Sequence, residues 1–249
     1  MSLPISIWTT GAPVPEAARK RGLFFEMISA GLSAGWSGEM VDLNCEDPDV
    51  FFPAPGEVSG LVISGSPARI GDQEPWMQRT QAELRRFADA GVPILGICFG
   101  HQLLGRALGG RTGPNPQGRE IGTPLYEPIA EDAYFDQAIA SLEGPASLHV
   151  VMTHLDSVLE APAGAVTLGR TQLEKNAALR FRDRVWGVQF HPEMDAELIG
   201  CYLRARRNDI EAEGLNVDEL LADRREAPFG AALLREFGQI CEQSQVAKS

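Results

Sequence analysis

The run Pro93-Ile-Leu-Gly-Ile-Cys98-Phe-Gly-His-Gln-Leu-Leu-Gly105 delivers a single cysteine from an apolar strand into a glycine-flanked turn that opens a helix. Gly96 and Gly100 bracket Cys98 in the G-x-nucleophile-x-G spacing. Small residues at these two positions relieve the crowding of a sharp strand-to-helix turn, which holds the reactive atom out in exposed, strained geometry. The amides at the helix N-terminus face such a sulfur and favour its thiolate. Taken alone, the same pattern also fits a cysteine buried at the end of a core strand.

A second stretch, Val185-Trp-Gly-Val-Gln-Phe-His191-Pro-Glu193, reads as another buried strand that ends in a histidine, a proline and a carboxylate. A thiol nucleophile needs a base, and the base needs an acceptor to orient it. His191 suits the first role and Glu193 the second, with Pro192 restricting the backbone between them. The competing reading is a strand-ending turn with a solvated Glu193.

Outward from these two motifs, short apolar strands alternate with helical segments. Ile5 to Trp8 is followed by a helix carrying Leu23, Phe24, Met27, Ile28 and Leu32, then by Met40 to Leu43. Leu61 to Ser64 precedes a helix from about Trp76 to Ala90, which Gly91 ends before Ile94 to Ile97. This alternation predicts an α/β fold with a mostly parallel, doubly wound, flavodoxin-like sheet flanked by helices. Active sites of such folds lie at the carboxyl ends of strands, where Ser64, Cys98 and His191 all fall. From about Gly110 to Ala178 the pattern changes to short extended pieces, Leu125 to Ile129, Leu148 to Met152, Val166 to Leu168 and Ala178 to Phe181, expected as added antiparallel β structure. After Glu193 a charged helical tail is expected, with Arg204, Arg206 and Arg207 beside acidic neighbours and an amphipathic stretch Ala231 to Ile240. It is read as packing on its own domain, with a homodimer or partner surface as the alternative. The whole chain, 1–249, is expected to be one domain with a core of about 5–195 and a helical extension of about 196–249.

Composition limits the function classes. Lys and Arg number 22 against 34 Asp and Glu, a net charge of -12, which argues against a phosphate-backbone partner. No apolar run approaches the ~18 residues of a membrane span and no signal-peptide pattern opens the chain, so no membrane partner and a cytoplasmic location are expected. Cys45, Cys98, Cys201 and Cys241 show neither metal-ligand spacing nor a short disulfide framework.

The chain resembles the class I (triad) glutamine amidotransferases, and more narrowly the stand-alone proteins similar to the amidotransferase domain of GMP synthase. Leu61-Val-Ile-Ser-Gly-Ser-Pro67 is similar to the family's oxyanion loop and Cys98-Phe-Gly-His-Gln102 to its nucleophile motif. Thr153-His-Leu-Asp-Ser-Val158 is similar to its Ser-His-Gly-Asp-x-Val segment, and Gln189-Phe-His-Pro-Glu193 to its His/Glu motif. The resemblance implies Cys98, His191 and Glu193 as the catalytic set. Backbone N–H groups of Gly65, Ser66 and Phe99 are then the candidate oxyanion donors, Gln102 contacts the bound glutamine, and His154 and Asp156 are substrate-side or interface residues. Two departures stand out: Leu155 replaces the usual Gly between His154 and Asp156, and Ser66 stands where many relatives have Gly. His101 and His149 read as structural.

What the resemblance implies is hydrolysis of the glutamine side-chain amide through a Cys98 thioester, with no cofactor and no metal. The partners are glutamine or a γ-glutamyl compound and a separate synthase subunit that accepts ammonia. No Walker or pyrophosphatase-type loop is present to activate an acceptor with ATP. Two further readings stay open, a γ-glutamyl peptide hydrolase or transferase, and a thiol sensor or binding protein that uses the fold without catalysis.

Overall fold

The computed structural model describes residues 3–143 and 148–246, with side chains up to 244. Positions 1–2, 144–147 and 247–249, which the expected 1–249 unit and its Gly110–Ala178 segment include, lie outside the described residues. The chain begins with β1 (Ile5–Thr9), α1 (Pro15–Arg21), α2 (Phe24–Leu32) and β2 (Met40–Asn44). It continues with β3 (Gly60–Ile63), α3 (Pro75–Asp89), β4 (Ile94–Ile97) and α4 (Phe99–Ala107). The helix boundaries follow local chemistry: α1 and α3 carry proline at their first residue, where its missing N–H costs nothing, and Gly91 at φ 71° stops α3.

The middle of the chain supplies β5 (Arg111–Pro114), β6 (Glu120–Gly122), β7 (Glu127–Pro128), α5 (Ala133–Ala140), β8 (Met152–His154) and β9 (Asp156–Glu160). Then come β10 (Val166–Arg170), β11 (Ala178–Arg182) and β12 (Val185–Val188). Among the described residues the main sheet has eight strands in the order β2-β1-β3-β4-β12-β11-β10-β7. The strands from β2 to β12 run parallel and those from β12 to β7 antiparallel, while β5 with β9 and β6 with β8 form separate antiparallel ribbons. The expected antiparallel addition therefore takes two forms, an extension of the main sheet and two ribbons beside it. Leu148 to Met152 is not a strand: His149 makes one isolated bridge to Leu125, and β8 starts only at Met152. Helix α5 is absent from the sequence reading, although Asp132 caps it by accepting from the N–H of Tyr134 at 3.1 Å.

Strand alternation explains the two cores. Ile5 and Ile7 of β1, Val62 of β3 and Leu95 and Ile97 of β4 face α2, α5 and the last helix. Trp8, Leu61, Ile63 and Ile94 face α3 and α4. A parallel sheet buried on both faces is what continuous apolar strands require. The tail forms α6 (Ala196–Ala205), α7 (Arg207–Ala212), α8 (Val217–Ala222) and α9 (Pro228–Val246). Helix α9 is no solvated appendage, because Phe229, Leu233, Leu234, Phe237 and Cys241 are buried in the first core. Among the described residues no helix is long and apolar enough to cross a membrane.

At the elbow, Cys98 lies at φ 50°, ψ -101°, a conformation that L side chains rarely adopt. The adjacent glycines show why it is held there. A Cβ on Gly96 would lie 2.7 Å from the carbonyl carbon of Gly100, and one on Gly100 would lie 2.5 Å from the carbonyl oxygen of Ile63. Helix α4 thus starts in backbone contact with β3 and β4. Gly100→Ala should lower unfolding stability by about 1–3 kcal/mol, the usual cost of overpacking. Gly71→Ala, where an added Cβ meets open space, should be near neutral. Equal denaturant midpoints for the two variants would contradict this close-approach account.

Candidate functional site

Three adjacent parallel strands converge on the site: Ser64 follows β3, Cys98 follows β4, and the Gln189 to Glu193 segment follows β12. Their ends are tied together by main-chain bonds, Cys98 N–H to Val188 O at 2.8 Å and Gly100 N–H to Ser64 O at 3.1 Å. His191 is fixed by its own N–H, which donates to Val151 O at 2.8 Å. The Cys98 side chain is nearly enclosed, with 5 % of the residue exposed. All four cysteines are free thiols. Burial pushes Cys45 up to about 12, as it raises Cys241, so neither is a ready thiolate near neutral pH.

His191 Nδ1 lies 2.7 Å from Glu193 Oε1, and the two side chains are 4 % and 0 % exposed. The solvated Glu193 of the competing reading is therefore not what is seen. Burial on its own would lower the imidazole's pKa, but the Glu193 carboxylate and the Cys98 thiol beside it hold it up, to about 10. The other Glu193 oxygen, Oε2, is buried with no partner among the described residues, so His191 is the group this carboxylate serves.

The loop after β3 is anchored from beneath. Thr10 donates through its hydroxyl to the carbonyl oxygens of Ser64 and Gly65, at 3.1 and 3.0 Å, and Ser64 Oγ accepts from the N–H of Thr10. These bonds hold the carbonyls, while the N–H groups of Gly65, Ser66 and Phe99 donate to no acceptor among the described residues. Ser66 Oγ is occupied in a local turn, accepting from the N–H of Ala68 at 3.0 Å. Gly65 passes so close to the imidazole that a Cβ there would sit 2.7 Å from His191 Cε1.

Gln102 is buried and donates to the Asp156 carbonyl at 2.7 Å and to Gln189 Oε1 at 3.1 Å. Gln189 in turn donates to Cys98 Sγ at 3.4 Å. His154 meets the same Asp156 carbonyl as Gln102. Its Nε2 is 3.3 Å from Glu120 Oε2 and its Nδ1 is 3.1 Å from the Asp156 carbonyl, a buried arrangement that braces the segment around Leu155. The Asp156 carboxylate is held by Arg69 in a two-pronged pair at 3.0 and 2.8 Å. His101 is fully buried against Phe181, with burial driving its pKa down to about 3, and His149 Nδ1 bonds the Thr123 carbonyl, in keeping with structural roles for both.

A cavity of about 70 Å³ brings together Ser66, Arg69, Cys98, Phe99, Gln102, Thr153, His154, Asp156 and Arg206. His191 and Glu193 are not among the residues that line it. A larger cavity of about 840 Å³, lined by Pro114, Ser157, Arg170 and Lys175, shares none of these residues. Gln189, Arg69 and Arg206 carry no role in the sequence reading. Gln189 opens the segment that ends in His191 and Glu193, a signal in the sequence, whereas nothing in the charged run Arg204 to Arg207 marks Arg206 out from its neighbours.

Residues 25–205 match the family model "Glutamine amidotransferase class-I". The chain is 36% identical over 146 residues to a GMP synthase [glutamine-hydrolyzing] of Aeropyrum pernix, a span of 59% of this chain and 26% of that protein. It is 31% identical over 144 residues to gamma-glutamyl peptidase 5 of Arabidopsis thaliana, covering 56% of this chain and 55% of that protein. The matched spans are thus about a quarter and about half of these relatives. In structure the chain is similar to a glutamine amidotransferase of Thermotoga maritima, with a TM-score of 0.70 and 19% identity over 97% of this chain and 100% of that one, a likeness of fold. With the match covering most of its length and the elbow and His-Pro-Glu segment inside it, the chain belongs to the class I glutamine amidotransferase family.

Proposed function

We propose that the protein hydrolyses the side-chain amide of glutamine, with Cys98 as nucleophile, His191 as acid and base, and Glu193 as the group that orients and charges the imidazole. The observation that carries this reading is the buried His191–Glu193 contact of 2.7 Å beside the enclosed thiol. The Cys98 thiolate attacks the amide carbon, and the carbonyl electrons move to an oxyanion held by the free N–H groups of Gly65 or Ser66 and of Phe99. Collapse of this intermediate breaks the C–N bond as His191 gives its proton to the departing ammonia. A water molecule, giving its proton back to His191, cleaves the thioester, so glutamate leaves and the thiolate is restored. The ammonia is proposed to pass to a separate synthase, a reading supported by likeness to a glutamine-hydrolysing GMP synthase. Residues 1–249 are taken as one functional unit, supported by the burial of α9 in the core.

A second reading, hydrolysis or transfer of γ-glutamyl peptides, is supported by the likeness to gamma-glutamyl peptidases. The two reactions share the acyl half and differ in the leaving amine. Glutamate and amine release from glutamine and from a panel of γ-glutamyl peptides separates them. Glutamine turnover exceeding that on peptides is expected, and the reverse order would favour the peptidase. No turnover of any of them, with Cys98→Ser indistinguishable from the parent, would sink both.

The oxyanion assignment predicts that Ser66→Ala keeps most activity, since its hydroxyl serves only the turn, while Gly65→Pro loses it by removing a donor. A severe loss in Ser66→Ala, measured as kcat with stability checked in parallel, would implicate the hydroxyl instead.

The charge assignment predicts a pH effect. The folded pKa of His191, about 10, stands above the ordinary imidazole value of 6.5, so the stability gained from its charged form is complete below about 6.5 and lost as pH rises through about 10. Glu193→Gln removes the leading cause of that elevation and should move the titration well below its parent value, as read from the pH profile of Cys98 alkylation. His191→Ala should reduce turnover by on the order of 10³, more than Glu193→Gln does. An unchanged profile and wild-type turnover in Glu193→Gln would reduce Glu193 to a turn residue and the unit to a Cys/His dyad.

A further inference from the structure

Arg206 is set apart from the arginines around it. Arg204 pairs with Glu16 at 2.6 Å, and Arg207 pairs with Glu211 and Asp218, both at 2.7 Å, on the protein surface. Arg206 instead turns inward to line the cavity that holds Cys98. Its guanidinium rests over the Tyr202 ring at 5.4 Å and donates once, from Nη1 to Thr153 Oγ1 at 3.0 Å. No carboxylate among the described residues forms an ion pair with it, and its remaining donors have no protein acceptor there. The one acid of the same cavity, Asp156, is already engaged by both prongs of Arg69.

A half-buried cation without a counterion is costly to keep, and this one is held in place by an aromatic face and a hydroxyl rather than by charge. A guanidinium presented in this way, with its donor fork open toward a cavity, is suited to a planar anion that arrives from solution. We propose that Arg206 binds the α-carboxylate of the substrate, at the end of glutamine or of a γ-glutamyl compound remote from the scissile amide. The proposal rests on the reading of this cavity as a site for γ-glutamyl amides. It assigns the binding of the amino-acid head to a residue of the C-terminal extension, outside the four motifs that carry the chemistry. An amino acid bound by its carboxylate at Arg206 extends its side chain toward the thiol in the same enclosure, so the contact would select γ-glutamyl groups over simple amides.

The test uses two kinds of measurement on the full chain. Alkylation of Cys98 is timed with iodoacetate, which carries a carboxylate, and with iodoacetamide, which is neutral, in the parent protein and in Arg206→Met and Arg206→Lys. Arg206→Met should slow iodoacetate by about tenfold or more and change iodoacetamide by less than about twofold, with Arg206→Lys between the parent and Met. Equal slowing of both reagents would mean that Arg206 acts on the thiolate, and the proposal would be overturned. In turnover, Arg206→Met should raise KM for glutamine by about tenfold or more with a far smaller change in kcat. The substitution should affect 4-aminobutanamide, which is glutamine without its α-carboxylate, much less, and an equal effect on both substrates would also overturn the proposal. If Arg206→Met fails to fold, protection of the parent's Cys98 against iodoacetamide decides the matter: glutamine should protect at far lower concentration than 4-aminobutanamide, and equal protection would refute the carboxylate contact. If the parent turns over no γ-glutamyl substrate while its preference for iodoacetate still depends on Arg206, the amidase reading fails and the anion site stands.

Discussion

The site depends on a contact between backbones. Helix α4 begins so close to β3 and β4 that neither Gly96 nor Gly100 has room for a Cβ. This approach leaves Cys98 no ordinary conformation in which to join strand to helix, and it adopts φ 50°. A residue held in such a region costs roughly 1–3 kcal/mol, which the surrounding packing has to offset. The two apolar cores supply that rigidity from opposite faces of the sheet. What the strain achieves is position: the sulfur stands over the carboxyl end of the sheet, with the first N–H of α4 beside it. The bond from Gly100 N–H to Ser64 O then fixes the loop after β3 relative to the same helix turn, so the thiol and the loop N–H groups form one rigid piece.

Electrostatics complete what packing begins. An enclosed imidazole without a charged neighbour would be neutral at physiological pH. Glu193, with both its oxygens away from solvent, reverses that preference and places a proton donor next to the thiol. Gln189 and Gln102 extend the order outward, one amide donating to the sulfur and the next joining it to the Asp156 main chain. A substitution at Gln102 would therefore disturb both the sulfur's surroundings and the segment around Leu155, although Gln102 itself is one residue removed from the thiol. Around Leu155 the segment is held by main-chain bonding, its carbonyl accepting from Asn115 N–H at 2.8 Å, and by the His154–Glu120 contact.

The parallel half of the fold and the elbow were legible in the sequence because each rests on a local signal: apolar runs of strand length, glycines at a fixed spacing, a histidine and carboxylate at a strand end. Where the signal is long-range, the sequence misleads. Leu148 to Met152 has the composition of a strand, yet its partner Leu125 makes one bridge and the ladder is taken up by β6 and β8 further along. Helix α5 is only eight residues long and its apolar face is shared between tyrosine and phenylalanine, so the sequence carries too little helical period to mark it. Asp156 could be singled out from its motif, but its pairing to Arg69 could not, because the loop that carries Arg69 is fixed only by the tertiary fold.

The C-terminal extension shows how far a site can reach beyond its motifs. Asp195 caps α6 two residues after Glu193, accepting from Leu198 N–H at 2.9 Å, so the turn that positions Glu193 runs directly into the helix that carries Tyr202 and ends at Arg206. Helix α9 packs against the back of the same turn: a Cβ on Gly230 would lie 2.7 Å from Pro192 Cα, and Tyr134 of α5 donates to Leu233 O at 2.8 Å to hold that helix in place. Removing α9 would expose the turn between His191 and Glu193 from behind, and removing α6 would take away one wall of the cavity. The charged sequence of this region, which by composition suits a solvated surface, thus conceals two contacts with the strand-end site. The turn between His191 and Glu193 is thus held from one side by Val151, which accepts from His191 N–H at 2.8 Å, and from the other by its C-terminal neighbours.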